Sequence, residues 1–348
     1  MSRYYTRACN FYYGDKSKKL IKEKKTLPLN GSDQISFDKV ELFTRENKKI
    51  ISINKINSLP SYLKKQVTND IKLIIKENKF KGLNFRSIPI IMGVLNLTPD
   101  SFSDGGKYNK ISASKKHLNH LFKSGADLVD IGGESTRPGS KSVSLKVEWS
   151  RIENILKNFD KKKMISLDTR KSGIMERGIT LGVKLINDIS GLSYDKNTID
   201  ILKKYKIPFV LQHSLADPDV MQKNPKYKNV LLDIYDFFEE KIKFLRKIGI
   251  KHNNIILDPG IGFGKNLKHN ITIIKNISIY HSLGLPILLG ISRKKFIKDI
   301  AMNNDSSSRI GGTITTSIFA MTQGVQILRV HDVNEINQGI KVFKTIIK

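Results

Sequence analysis

Two patterns of apolar and polar positions divide the chain. From about residue 88, short apolar runs alternate with longer stretches whose apolar residues recur at helical spacing. The runs are IPIIMGVLN (88–96), ADLVDIGG (126–133), KMISLD (163–168), VKLINDI (183–189), PFVLQH (208–213), NIILDPG (254–260), PILLGIS (286–292) and VQILRVH (325–331). Between them, ISASKKHLNHLFKSG (111–125), SLKVEWSRIENILKNF (144–159) and VLLDIYDFFEEKIKFLRKIG (230–249) read as amphipathic helices, the first closed by a glycine. Eight such strand–helix repeats within roughly 250 residues predict a (β/α)8 TIM barrel over 87–348. A doubly wound sheet is the alternative, but uniformly apolar strands repeated eight times favour closure.

Residues 1–86 look different. They are Lys-rich and irregular. Within them ISFDKVELF (35–43) and KKIISINKI (48–56) alternate apolar and polar positions, predicting a hairpin, and YLKKQVTNDIKLIIKENKF (62–80) predicts a helix. This small α+β extension carries no motif with chemistry, so a docking or oligomerisation role is expected of it.

Composition adds bounds. Of 348 residues, 39% are hydrophobic and 27% charged, enough apolar material for a packed core. The net charge of +29 would draw nucleic acid, acidic membranes or phosphorylated metabolites. Yet the lysine runs KSKKLIKEKK (16–25) and DKKKM (160–164) have no aromatic platform or zinc spacing beside them, so a solvated basic surface is expected, with no specific nucleic-acid partner. No run approaches the ~20 apolar residues of a membrane span. The opening MSRYYTRACNFYYG lacks a secretory apolar region, and Cys9 has no cysteine to pair with; a cytoplasmic location is expected.

The candidate chemistry lies where the strands end, at the rim where barrel active sites form. The eight ends read NLTPDSFSDGG, GGESTRPGS, Asp168-Thr169-Arg170, Asn187-Asp188, Gln212-His213, Asp258-Pro259-Gly260, Gly290-Ile291-Ser292-Arg293-Lys294 and Arg329-Val330-His331-Asp332. Asp168, Asn187, Asp258 and Lys294 suit the edge of a planar heterocycle, because carboxylates accept paired N–H bonds and an amide both donates and accepts. Asn96, Thr136, Arg137, Arg329 and His331 suit an anion, with Arg able to grip phosphate through two N–H groups. Asp188 reads as a turn cap, Asp130 as a brace, and Asp104-Gly105-Gly106 as a turn. DPGIGFGKN fails as a nucleotide loop, because Pro259 stands where the first glycine belongs and Asn266 where Ser or Thr does.

Seven segments in order, MGVLNLTPDSFSDGG (92–106), DIGGESTRPGS (130–140), SLDTRKS (166–172), LINDISG (185–191), ILDPGIGFGKN (256–266), LLGISRKKFI (288–297) and ILRVHDV (327–333), closely resemble the dihydropteroate synthase family. The resemblance spans about 88 to 345. It implies a generally dimeric, Mg2+-using (β/α)8 barrel that joins 6-hydroxymethyl-7,8-dihydropterin pyrophosphate to p-aminobenzoate, giving 7,8-dihydropteroate and pyrophosphate through an SN1-like displacement. It places Asp168, Asn187, Gln212, Asp258, Phe263, Gly290 and Lys294 at the pterin. Asn96 would contact Mg2+ and the pyrophosphate, together with Thr136, Arg137, Arg329 and His331. Phe102, Pro138, Ser292 and Lys294 would border p-aminobenzoate, and Lys294, Arg329 and His331 would carry the catalysis. One departure stands out: Gln212 occupies a position where the family commonly has methionine, and the loop 214–217 is altered. Two rival readings remain open at the sequence level: a pterin-binding barrel handling methyltetrahydrofolate for methyl transfer, and a non-catalytic basic binding protein.

Overall fold

In the computed structural model, which describes residues 3–80, 82–85, 89–98, 111–135, 140–214, 225–302 and 305–347, the chain begins with a small antiparallel sheet. It comprises β1 (Tyr5–Tyr13), β2 (Leu27–Leu29), β3 (Ser32–Phe43) and β4 (Lys48–Ser52), with α1 (Gly14–Lys22) after β1 and α2 (Ser61–Ile74) after β4. The β3–β4 hairpin forms where the alternating pattern predicts it, from Phe43 opposite Lys48 to Lys39 opposite Ser52. Helix α2 stops at Ile74, short of the predicted 80. Strand β1 is an addition. Its run YTRACNFYY breaks alternation with charged and amide residues, yet it pairs with β3 from Tyr5–Phe43 to Tyr13–Ile35. Long-range pairing overrides weak local preference here.

The remaining chain alternates β5 (Ile90–Asn96), α3 (Ile111–Lys123), β6 (Leu128–Gly132), α4 (Leu145–Asn158), β7 (Ile165–Asp168), α5 (Ser172–Thr180), β8 (Leu185–Asp188), α6 (Thr198–Tyr205), β9 (Phe209–Gln212), α7 (Val230–Lys247), β10 (Ile255–Asp258), α8 (Leu267–Lys275), β11 (Leu288–Gly290), α9 (Lys295–Ala301), α10 (Ile310–Thr322), β12 (Ile327–Val330) and α11 (Val333–Ile346). The strands are parallel, in the order β10-β9-β8-β7-β6-β5-β12-β11. A parallel bridge between Leu257 and Ile287 joins the two ends of that order. This is the (β/α)8 barrel that the repeats predict.

Side-chain alternation sorts each strand into an outer and an inner row. Ile91, Leu95, Val129, Ile131, Ile165, Leu167, Ile186, Leu211, Leu257, Leu289 and Leu328 face the helices and join one large apolar cluster with them. The inner row is split by height. Its lower tier is apolar on seven strands, with Met92, Leu128, Leu185, Val210, Ile256, Leu288 and Ile327, and holds the buried Ser166 on β7. Two residues further along, the inner position turns polar or smaller, giving Val94, Asp130, Asp168, Asn187, Gln212, Asp258, Gly290 and Arg329. The site therefore sits on a dry base.

That base is shared with the N-terminal sheet. The inner apolar tier belongs to the same cluster as Ala8, Leu29, Phe37, Val40, Leu42, Leu63, Val67 and Ile74 of the extension. The contact is close: at Gly324, whose φ is +80°, a Cβ would come 2.3 Å from the Leu29 side chain. Polar links reinforce it, from Asn30 Nδ2 to the Gly324 carbonyl (3.2 Å) and from Tyr13 Oη to the Thr322 carbonyl (2.9 Å). At its side, Arg45 bridges Asp233 and Asp236 on α7, both at 2.7 Å. The extension uses its apolar face on the chain's own barrel, closing the end opposite the strand C-termini.

Candidate active site

Asp130, Asp168, Asn187 and Arg329 meet inside the barrel. Their strands align so that Asp168 is level with Asn187 across the β7–β8 pair and with Gly132 across β6–β7. Arg329 Nε donates to Asp130 Oδ2 and Arg329 Nη2 to Asp168 Oδ2, each at 2.7 Å. Asn187 Nδ2 donates to the same Asp130 oxygen at 2.8 Å. Asp130 thus braces, as expected of it, but its partners are two candidate ligand groups. The other atoms of the group, Asp168 Oδ1, Asn187 Oδ1 and Asp130 Oδ1, are buried with no hydrogen-bond partner among the described residues. Buried acceptors of this kind suit a ligand that donates N–H groups. Burial raises Asp168 above the ordinary carboxylate range, while the Arg329 guanidinium pulls the other way.

The other half comes from β9, β10 and β11. Gln212 and Asp258 are paired in register. Gln212 Nε2 donates to the Ile189 carbonyl at 3.3 Å, so part of its amide is held by backbone. Asp258 Oδ1 accepts from Gly260 N at 2.8 Å, so it braces the Pro-Gly turn as well as facing the site. Lys294 Nζ lies 4.3 Å from the centre of the Phe263 ring, and Lys294 is half-buried. Burial lowers Lys294 to about 8, Arg329 acting in the same sense and Asp258 and Asp168 opposing it. Gly290 is level with Arg329 and has open space in front of it.

Ser292 and His331 form a third group. Ser292 Oγ accepts from His331 N at 3.2 Å and lies 3.1 Å from His331 Nδ1. Burial, then Arg329, lowers His331 to about 3. Asn96 stands at the end of β5 beside Gly132, with its Oδ1 3.4 Å from where a Gly132 Cβ would lie. Among the described residues no three His, Cys, Asp or Glu side chains form a metal cage. A Mg2+ held largely by phosphate oxygens and water needs few protein ligands, so one amide oxygen above a glycine fits it. Phe102, Thr136, Arg137 and Pro138 lie outside the described residues, as does the Asp104-Gly105-Gly106 turn.

Strand parity also removes residues. Asp188 lies one position beyond the inward Asn187, and its Oδ1 accepts from Ser190 N (2.7 Å) and Ser190 Oγ (2.6 Å). It caps the turn. Arg170 turns toward Glu134 and lies 4.0 Å from the centre of the Tyr194 ring. Sequence reasoning missed the group it joins. Lys171 Nζ bridges Glu134 (2.9 Å) and Glu148 (2.6 Å), and Glu134 Oε1 accepts from Val143 N at 2.8 Å. Burial pushes Glu134 up, but Lys171, Val143 N and Arg170 outweigh it and hold the group below its ordinary value. Lys265, 3% exposed and also unforeseen, lies behind Phe263. Its signal lies in the GFGK run, which enters the nucleotide-loop comparison and the family resemblance without marking the lysine itself.

A closed barrel whose mouth gathers buried acceptors and half-buried cations fits an enzyme of the pterin-binding class. Residues 92–331 match the family model described as pterin binding enzyme. A dihydropteroate synthase of Clostridium beijerinckii is 41% identical over 273 residues, covering 77% of this chain and 98% of that protein. Two solved structures of the Xanthomonas albilineans dihydropteroate synthase are also similar. One, with 4-aminobenzoic acid, has a TM-score of 0.71 at 32% identity, covering 76% of this chain and 94% of that one. The other, in complex with 7,8-dihydropteroate, has a TM-score of 0.67 at 29% identity, covering 76% and 95%. The chain belongs to the dihydropteroate synthase family. That decides against the methyl-transfer and non-catalytic readings.

Proposed function

We propose that this chain is the transferase that joins 6-hydroxymethyl-7,8-dihydropterin pyrophosphate to p-aminobenzoate, yielding 7,8-dihydropteroate and pyrophosphate for folate synthesis. The observation that carries the reading is the inner polar tier above a largely apolar base: Asp168 and Asn187 are gathered with Arg329, which pairs with Asp168 at 2.7 Å, and Asp258 stands on the same inner row. The arylamine nitrogen forms a bond to the pterin methylene carbon, the carbon–oxygen bond to pyrophosphate breaks, and the nitrogen loses a proton. Among the described residues no side chain is placed as a covalent nucleophile; the work is electrostatic, and the displacement is SN1-like. Asp168, Asn187 and Asp258 receive the pterin N–H edge, with Gln212, Phe263 and Gly290 around the ring, and the two carboxylates favour positive charge growing on it. Arg329, His331 and Lys294, with Thr136 and Arg137 from the loop after β6, favour negative charge growing on the leaving group. Phe102, Pro138, Ser292 and Lys294 border the arylamine. Mg2+ would be held by Asn96 and the pyrophosphate, supplying further positive charge to the leaving group. The protein acts as a dimer, a reading supported by the exposed Phe319, Val342 and Ile346 on α10 and α11.

The test is to mix purified protein with the pterin pyrophosphate, p-aminobenzoate and Mg2+. Pyrophosphate release that requires both organic partners is expected; release with one of them missing, or none with both, would overturn the reading.

A further inference from the structure

The loop after β10, DPGIGFGKN, curls back on itself so that Lys265 points into the protein behind it. Lys265 Nζ donates to the Phe263 carbonyl at 2.8 Å, lies 3.1 Å from His213 Nδ1 and reaches the His213 carbonyl at 3.4 Å. As an ammonium Lys265 only donates, and in that state Nδ1 of His213 accepts, with the imidazole proton on Nε2. Burial of His213 acts in the same direction, holding it well below its ordinary value. The loop and the end of β9 also meet through backbone. His213 N donates to the Asp258 carbonyl at 2.8 Å. Gly260, at φ +67°, passes so close that a Cβ would lie 2.1 Å from the His213 carbonyl.

On the far side of this junction are groups of the pterin subsite. Phe263 carries the Lys294 ammonium over its ring, and Asp258 opens the loop. A buried cation whose three hydrogen-bond acceptors are all uncharged is costly to desolvate, and a merely mechanical link between two loops does not need one. Burial brings Lys265 down to about 7, the Asp258 carboxylate opposing that fall and Lys294 adding to it.

We propose that Lys265 is a positioning residue for the pterin subsite: its ammonium fastens the glycine-rich loop to His213 and so fixes Phe263 and Asp258 relative to Lys294. The proposal rests on the transferase reading above. Lys265 touches no reacting atom; it acts through Phe263, His213 and the field at Asp258.

The test compares wild-type protein with Lys265→Met and Lys265→Arg, measuring pterin-pyrophosphate affinity by calorimetry and KM for each substrate. Lys265→Met is expected to weaken the pterin by roughly tenfold or more, since small misplacements in a preorganised site are costly, while KM for p-aminobenzoate stays within about twofold. Lys265→Arg, which keeps the charge and donors, is expected to recover part of the loss. Wild-type pterin affinity in Lys265→Met, or equal weakening of both substrates, overturns the proposal. Should Lys265→Met fail to fold, His213→Gln loosens the same fastener from its other end; unchanged pterin affinity there overturns the proposal too. Failure of the transferase reading would look different, because wild-type protein would then release no pyrophosphate at all.

Discussion

Arg329 Nη2 lies 2.7 Å from Asp168 Oδ2, so the guanidinium expected on the leaving anion is paired with the carboxylate expected on the pterin. Its Nε is equally close to Asp130. One residue therefore spans both halves of the site. On the proposed reading, a pterin that takes Asp168 would loosen Arg329, and a pyrophosphate that takes Arg329 would free Asp168.

For Arg329→Ala we expect kcat/KM to fall ~10- to 10²-fold, about 1.5–3 kcal/mol of transition-state binding. The melting temperature should fall as well, because Asp130 and Asp168 lose their buried counter-charge. Steady-state kinetics with unchanged kcat/KM would remove Arg329 from the anion subsite.

Asp168→Asn keeps the shape of the side chain and removes its charge. Pterin affinity should weaken by roughly tenfold, the scale of one charge-assisted hydrogen bond. Isothermal calorimetry giving the wild-type dissociation constant would refute this.

Leu29 is fully buried between the N-terminal sheet and Gly324, at the end of the barrel away from the site. Leu29→Ala should cost about 2–5 kcal/mol of unfolding free energy. Kinetic constants of the folded protein should not change. Urea melts at wild-type stability would mean that the extension lends the barrel no support.

His281 is buried, with Nε2 2.9 Å from the Gln323 carbonyl, and burial lowers it to about 4. Its folded value lies below that of the unfolded chain, so the unfolded state binds the extra proton. Stability from this group is complete above about pH 6.5 and is lost as pH falls toward 4. Between pH 7 and 4.5 the loss should be about 2 kcal/mol, and His281→Gln should remove it from the pH dependence. Denaturant melts with identical pH slopes for both proteins would contradict the assignment.

Much of the architecture was legible beforehand because strand and helix periods are local. The eight apolar runs, the helices between them and the β3–β4 hairpin follow from side-chain spacing within single segments. The polar strand ends were legible for the same reason. Strand β1 was not, because its partner β3 lies about twenty residues away and alternation in YTRACNFYY is poor. The ion group of Glu134, Glu148 and Lys171 was not either, since it joins the ends of two strands to a helix.

The amino-acid order by itself determined which side chains stand at each strand end, and hence the chemistry available to the site. Tertiary structure alone decided their use. Register and inward parity put Arg329 between Asp130 and Asp168 and set Lys265 behind Phe263. The same packing put the extension beneath the barrel. These outcomes depend on distances between segments far apart in the chain, and such distances are fixed by closing the barrel, not by any local preference.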